Sequence, residues 1–441
     1  MQHHAALRKA LGKRLPDGLI LLRGGRHIPR NGDVDFVFRQ TSDFLYLTGV
    51  EEADCFLLID PRRDRHTLFI PRIDNYHRVW LGHVPGPREA KTLYGFSQVL
   101  YSDQLESTVK KARRGYRKTY ADEKVCGKWR EVPRLPNRRA QLRDALDELR
   151  ACKTEDEIEL MRRANAISGR AHRKVMSSAR HGQFEYQVQA VFESESLTAG
   201  LKQLAYPSIV AAGANGAVLH YHRNNARLND GDMLLIDAGA ECGGYAADIT
   251  RTFPVNGKFT NRQRDIYSIV LRTQKTCIER ARPGVVSAQL HVLSMTLIAE
   301  GLKSLGLLRG EVSGLVEGGA VRLFYPHGLT HMLGLDVHDV TGGRKRRMAN
   351  PTKIPVRFVA RLEPGFVITM EPGIYFIKAL LLDPALRRKH RGSIDFTKAE
   401  KFLDFGGVRI EDDIVIQPQG PPLNLTTVPK EISDVEECCE R

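Results

Sequence analysis

The stretch HGLTHMLGLDVHD, His327 to Asp339, packs three histidines and two aspartates into thirteen residues, with Gly328 and Gly334 among them. Histidine binds metals, titrates near neutral pH and also fills ordinary core and surface positions, so the run needs partners from elsewhere in the chain. Carboxylates near glycine-rich turns are the candidates. In DMLLIDAGAECGGYAADITRTF, a two-residue turn at Cys242-Gly243 sets Asp237 directly opposite Asp248 on two antiparallel strands. Facing side chains have Cβ atoms about 4.5–5.5 Å apart, and two like charges there destabilise a sheet unless a cation neutralises them. A turn at another position leaves both aspartates as surface residues. Glu371 closes the apolar run FVITM ahead of Pro372-Gly373. In GVRIEDDIVI, Val408, Ile410, Ile414 and Ile416 share one face, and alternation gathers Arg409, Glu411 and Asp413 on the other, as an exposed edge strand also does.

Four carboxylates with His331 form an oxygen-rich set, which suits manganese or a similar divalent ion better than a thiolate-seeking one. Their charge is too much for one divalent ion and balances two. Paired metals about 3.5–4 Å apart share bridging carboxylates and a bridging hydroxide, a nucleophile at neutral pH.

The elements that must carry these groups follow from apolar periodicity. From residue 1 to about 150, short apolar runs (LILL, FLYL, CFLLI, TLFI) alternate with polar segments and a helical stretch near Gln104 to Ala112, an α/β pattern. The first eighteen residues read as an ordinary helix rather than a presequence. PRLPNRR, 133 to 139, suits an inter-domain region. Thr154 and Glu157 then make a capping box that opens a long amphipathic helix, Thr260 and Gln263 make a second, and Ser287 is expected to cap a helix to about Leu305. Strand-like runs at 233–236, 245–253, 366–370 and 408–416 complete an α+β second domain.

Composition bounds the rest. The 441 residues contain no apolar run long enough to span a membrane, and a cytoplasmic location is expected. Seven scattered cysteines form no CxxC, which argues against a disulfide framework or a thiolate zinc site. The net charge is +15 and basic residues form two notable patches, KKARRGYRK and GRKRR, but no nucleic-acid motif or aromatic stacking platform accompanies them, so solvated basic faces are expected and no nucleic-acid partner.

Asp237 and Asp248 inside DAGAxxxxYxxDITRTFPVNGKFT, His331 inside HGLTHxLGLDVHD, Glu371 inside MEPGIY and Glu411 inside GVRIEDDI resemble the five-ligand signature of the pita-bread metallopeptidases. Within them the chain is most similar to the aminopeptidase P family, with prolidase close by. RQTSDFLYLTG (39–49) resembles the N-terminal domain of that family, and ANGAVLHY (214–221) its substrate-pocket segment. The resemblance implies an α+β chain. A pita-bread (creatinase/aminopeptidase) catalytic domain, residues 151–441, follows a smaller α/β domain of RNase H-like, creatinase N-terminal type, residues 1–150, that serves substrate access and oligomer contacts.

It implies further that two divalent ions are bound, Mn2+ first with Co2+ or Zn2+ as alternatives. Asp237 chelates one, Asp248 and Glu411 bridge both, and His331 and Glu371 hold the other. His338 would polarise the scissile carbonyl or hold the oxyanion, His327 and His220 would line the proline pocket, and Arg409 would support Glu411. The implied reaction is hydrolysis of an Xaa-Pro bond by the bridging hydroxide, with Glu371 as proton shuttle, in a homodimer or homotetramer. Xaa-Pro dipeptidase activity is the alternative, and a metal-free peptide- or histone-binding relative a remote one. Methionine aminopeptidase shares the ligands, but the large N-terminal domain and the LHY and HGLTH contexts argue against it. Two segments, 342–362 and 376–408, look extended, and the second is expected to shape substrate access.

Overall fold

The computed structural model describes residues 2–122 and 138–440, without the side chains of His77 and Leu81; residues 133–137 of the expected inter-domain PRLPNRR lie outside the described residues. The chain forms two compact units, Met1–Arg150 with Gly342–Lys345, and Ala151–Thr341 with Arg346–Arg441.

The first unit opens with the expected helix, α1 (Gln2–Arg14). Its mixed sheet comprises β1 (Leu19–Arg23), β2 (Phe56–Asp60), β3 (Arg65–Ile70), β4 (Gln98–Tyr101) and β5 (Thr119–Ala121), in the order β4-β3-β2-β1-β5. LILL is apolar at every position because both faces of β1 are covered: Leu19 and Leu21 pack toward Leu105, Val109 and Ala112 of α2 (Leu105–Arg113), while Ile20 and Leu22 are also buried.

In the second unit, the Thr154–Glu157 capping box starts α3 (Glu155–Ser178), and the Thr260–Gln263 box starts α5 (Asn261–Arg280), with α4 (Glu185–Thr198) between them. In α6 (Ser287–Ser304), Val286 occupies the cap position, and the Ser287 hydroxyl donates instead to Phe358 O at 2.9 Å. The helices surround a three-stranded antiparallel sheet in which β7 (Met233–Asp237) runs between β6 (Ile209–Ala212) and β10 (Thr250–Pro254). The hairpin strands β8 (Glu241–Cys242) and β9 (Tyr245–Ala246) join β7 to β10. A second sheet sets β14 (Asp412–Val415) between β11 (Val367–Met370) and β15 (Leu423–Asn424), and β12 (Gly373–Tyr375) pairs with β13 (Gly407–Arg409).

Two further expectations fail here. The hairpin turn is Gly243-Gly244, not Cys242-Gly243, so Asp237 pairs in register with Thr250 rather than Asp248. A tight hairpin of this kind wants positive φ at both central residues, and these glycines adopt +58° and +82°. The edge-strand alternative for 408–416 also falls, since β14 is central and Arg409, Glu411, Asp412 and Asp413 are all buried. The strand-like runs are interrupted at 247–249 and at Ile410-Glu411, where backbone groups are diverted to the site described next.

Candidate metal centre

Each break in a strand presents a carboxylate. Asp248 precedes β10, and its N–H leaves the sheet pattern to donate to the Asp413 carboxylate at 3.0 Å. Gly239 makes room for this path, because a Cβ there would lie 1.8 Å from Ala247 O. Glu411 lies between β13 and β14; its N–H donates to Thr250 O at 3.1 Å, and its Oε2 accepts the Thr250 hydroxyl at 2.6 Å. Thr250, the register partner of Asp237, therefore ties the first sheet to Glu411. Glu371 follows β11, and its N–H donates to Leu329 O at 2.9 Å.

These elements bring the five expected ligands to one place. Asp248, His331 and Glu411 each offer a ligand atom within 4.8 Å of the others. His331 Nε2 lies 3.4 Å from Asp248 Oδ2 and 3.5 Å from Glu371 Oε1, while its Nδ1 is 3.0 Å from Met332 O. If Nδ1 carries the proton and donates to that carbonyl, the Nε2 lone pair faces the carboxylates. Asp237 completes the set through Arg409, whose guanidinium donates to Asp237 Oδ2 at 2.5 Å, Tyr375 Oη at 2.8 Å and Thr250 Oγ1 at 3.0 Å. Arg409 Nε is 4.0 Å from Glu411, so Asp237 rather than Glu411 is its closer acidic partner.

The electrostatics fit a cation pair. Burial, reinforced by the neighbouring carboxylates, pushes Glu411 well above the usual carboxylate range and Glu371 up to about 7, with Arg409 and, for Glu371, His331 opposing. Burial also raises Asp237, against the nearby Arg409. Asp248 is the exception: burial raises it, but the hydrogen bond and charge of His331 bring it below its ordinary value. Burial works against protonated His331, yet Asp248 and Glu371 lift it to about 9. Asp237 Oδ1, although buried, finds no hydrogen-bond partner among the described residues. Four clustered carboxylates facing one guanidinium and one imidazole are short of positive charge, and the set is all oxygen apart from one imidazole nitrogen, a donor set for hard or borderline divalent ions.

The ligands open onto a cavity of about 770 Å³ that also takes His220, His327 and His338. The His338 ring centroid lies 4.3 Å from that of His331. His327 Nε2 is 2.8 Å from Tyr375 Oη, which joins it to Arg409. Tyr375, given no role from sequence, is thus the link between His327 and the ligand cluster. Tyr206 was missed altogether: its hydroxyl accepts the Ile249 N–H at 3.4 Å, and it lines the cavity together with Asp237 and Asp248. No periodicity signals it, because it lies outside the named strands, 31 and 42 positions from those aspartates in sequence. The access segment is a correction. Among the described residues, none of 376–408 lines the cavity, whereas Pro355, Val356 and Arg357 of the other extended segment do. Leu381, Ile394, Phe396 and Ala399 are instead buried in the main hydrophobic core.

Comparison with known proteins supplies the family. Residues 159–418 match the model of metallopeptidase family M24, and residues 4–120 match the N-terminal domain of aminopeptidase P. The chain belongs to metallopeptidase family M24. Among family members, a probable Xaa-Pro aminopeptidase of Botryotinia fuckeliana is 38% identical over 95% of this chain and 92% of its own length. A rat Xaa-Pro dipeptidase is 35% identical over 95% of this chain and 88% of its own. The structure of zinc-substituted E. coli aminopeptidase P in complex with product superimposes with a TM-score of 0.85 at 32% identity, covering 99% of this chain and 98% of that one. The M24 pita-bread architecture preceded by the aminopeptidase P N-terminal domain is therefore shared across the chain.

Proposed function

We propose that this M24 peptidase removes the N-terminal residue from peptides with proline in second position, using two divalent ions. The observation that carries the reading is the convergence of Asp237, Asp248, His331, Glu371 and Glu411 with His220, His327 and His338 on one cavity. Asp237 would chelate one ion, Asp248 and Glu411 would bridge, and His331 with Glu371 would hold the other. Mn2+ is the first choice for this donor set. Such a pair supplies charge compensation, Lewis acidity and an activated water.

The remaining work falls to the chain. An Xaa-Pro bond is a tertiary amide with no N–H to donate and a ring that fixes φ near −65°, so recognition must come from shape. The Tyr325 and His327 rings, 5.0 Å apart and edge-to-face, supply one wall of the cavity, with Leu219 and His220 also lining it. Attack of water on the scissile carbonyl develops an oxyanion that His338 would stabilise. Glu371 accepts the proton of the water and delivers it to the departing proline nitrogen, which leaves as a secondary amine. Arg409 and Tyr375 keep Asp237 and His327 in fixed orientation.

Relatives named for both aminopeptidase and dipeptidase activity leave substrate length as a second question. One observation favours the dipeptidase reading. Arg322 and Arg357 line the cavity and, among the described residues, neither forms an ion pair with an acid, which leaves both to meet a free substrate carboxylate. The cavity volume accommodates longer peptides as well. A cytoplasmic homo-oligomer remains part of the proposal.

The test is hydrolysis of Xaa-Pro and Xaa-Pro-Yaa peptides after chelation, with and without added Mn2+. Metal-restored cleavage at the bond before proline is expected. Absence of cleavage in protein shown to hold metal refutes the reading.

A further inference from the structure

Strict alternation along 331–338 would put the two histidine rings on opposite faces, yet they meet edge-to-face at 4.3 Å. The turn that folds them together closes around an ion pair lying outside the ligand set. Lys153 Nζ is 2.9 Å from Asp339 Oδ2, and each side chain is only 1% exposed. Asp339 directly follows His338, and its N–H donates to Met332 O at 2.9 Å, closing the loop that begins just after His331. Gly334 is pressed against the pair from within the loop: a Cβ there would lie 2.1 Å from Asp339 Oδ2 and 2.9 Å from Lys153 Cε. Lys153 is itself anchored, since its N–H donates to Gly365 O at 2.8 Å and it immediately precedes Thr154, the cap of α3.

The two histidines are held by different means. His331 is locked to β11: its N–H donates to Thr369 Oγ1 at 3.2 Å, its carbonyl accepts from Thr369 N–H at 3.0 Å, and Leu333 N–H donates to Val367 O at 2.9 Å. Those contacts do not involve the ion pair. His338 sits at the far end of the turn, next to Asp339. A buried ion pair adds little stability over an apolar pair of the same volume, but breaking it by removing one partner is costly, so the groups attached to it stay in one arrangement.

We infer that Lys153 is a positioning residue for the peptidase reaction: its buried pairing with Asp339 places His338 against the ligand cluster while His331 is held independently. This rests on the proposed function for its catalytic readout, and the experiment below separates the two. Three forms of the full-length chain are compared: wild type, Lys153→Ala, and the double variant Lys153→Met/Asp339→Leu, which removes both charges so that neither is left buried alone. Bound Mn2+, melting temperature, kcat and KM on a proline-second peptide are measured.

The double variant is expected to fold and bind wild-type amounts of Mn2+ while kcat falls about 10²-fold with KM little changed, the scale expected of a small displacement of an acting group. In Lys153→Ala, n-propylammonium is expected to refill the vacated space and restore part of kcat. Independently of turnover, side-chain signals of isotope-labelled histidine in the metal-free chain, assigned with His338→Gln, should show His338 moved in the double variant. Wild-type kcat in a folded, metal-loaded double variant overturns the inference. So does a kcat loss that merely parallels metal loss, or a His338 signal that does not move. If wild type holding metal cleaves no proline-second peptide, the functional reading fails, and the His338 signal still decides the positioning claim.

Discussion

Glu411 and Asp412 are adjacent in sequence and both buried, yet they live in opposite electrostatic surroundings. Asp412 receives Arg251 at 2.7 Å on Oδ1 and both Lys430, at 2.5 Å, and Asn424, at 2.7 Å, on Oδ2. Burial alone would raise its pKa, but the Arg251 and Lys430 charges hold it well below the usual carboxylate range. Glu411 faces Asp248, Glu371 and Asp237 with Arg409 as the opposing charge, and is pushed far up. Successive side chains on an extended chain point to opposite sides, so one backbone turns one acid into a structural pair and offers the other to a shortage of positive charge. A buried acid with protein counter-charges marks architecture, and a buried acid without them marks a site that expects a ligand.

The contrast can be broken from either side. The largest effect should come from Glu411→Gln, which is expected to abolish Mn2+-dependent turnover, yet leave the metal-free protein melting at or above metal-free wild type because a crowded charge has been removed; a marked drop in melting temperature would erase the distinction. Arg251→Met, which leaves Asp412 short of a partner, should instead cost about 3–5 kcal/mol in denaturant unfolding. Arg251 also donates to Glu411 O, Val428 O and Pro429 O, so its loss should loosen the C-terminal segment too. Third, Mn2+ at a hundredfold excess over Kd should stabilise wild type by about 2.7 kcal/mol in thermal or denaturant melts and Glu411→Gln by much less. Smallest, Arg409→Lys keeps the charge but loses the fork that joins Asp237, Tyr375 and Thr250, and should weaken metal affinity or activity by about 10–100-fold. An Arg409→Lys enzyme indistinguishable from wild type would show that the fork is dispensable.

The hairpin shows why part of the site was legible despite an error. Moving the turn to Gly243-Gly244 shifts the partner of Asp237 by two residues, from Asp248 to Thr250. Asp248 and Thr250 are two positions apart, so the shift keeps the parity of the expectation, and although the strand breaks at 247–249 the two aspartates still line one cavity. The 376–408 segment was misread for a different reason. Its apolar residues are spaced among charged ones without a clear period, and only the tertiary packing shows Phe402 stacked on Phe376 at 4.5 Å and Phe396 in the core. Deleting 380–404 would therefore remove core rather than a surface lid.

By itself the sequence determined which groups could bind metal, because ligand chemistry depends on residue type and the motifs around it, and it determined the starts of α3 and α5, because capping boxes act over three residues. Only the tertiary structure decided how His331 and His338 meet, why Lys153 is buried beside Asp339, and which acid of the Glu411-Asp412 pair is satisfied. Those outcomes depend on groups more than a hundred positions apart, such as Arg251 and Asp412, or Lys153 and Asp339. Local periodicity carries no information about such partners; burial and Coulomb interactions act on distance in space, which the folded chain alone sets.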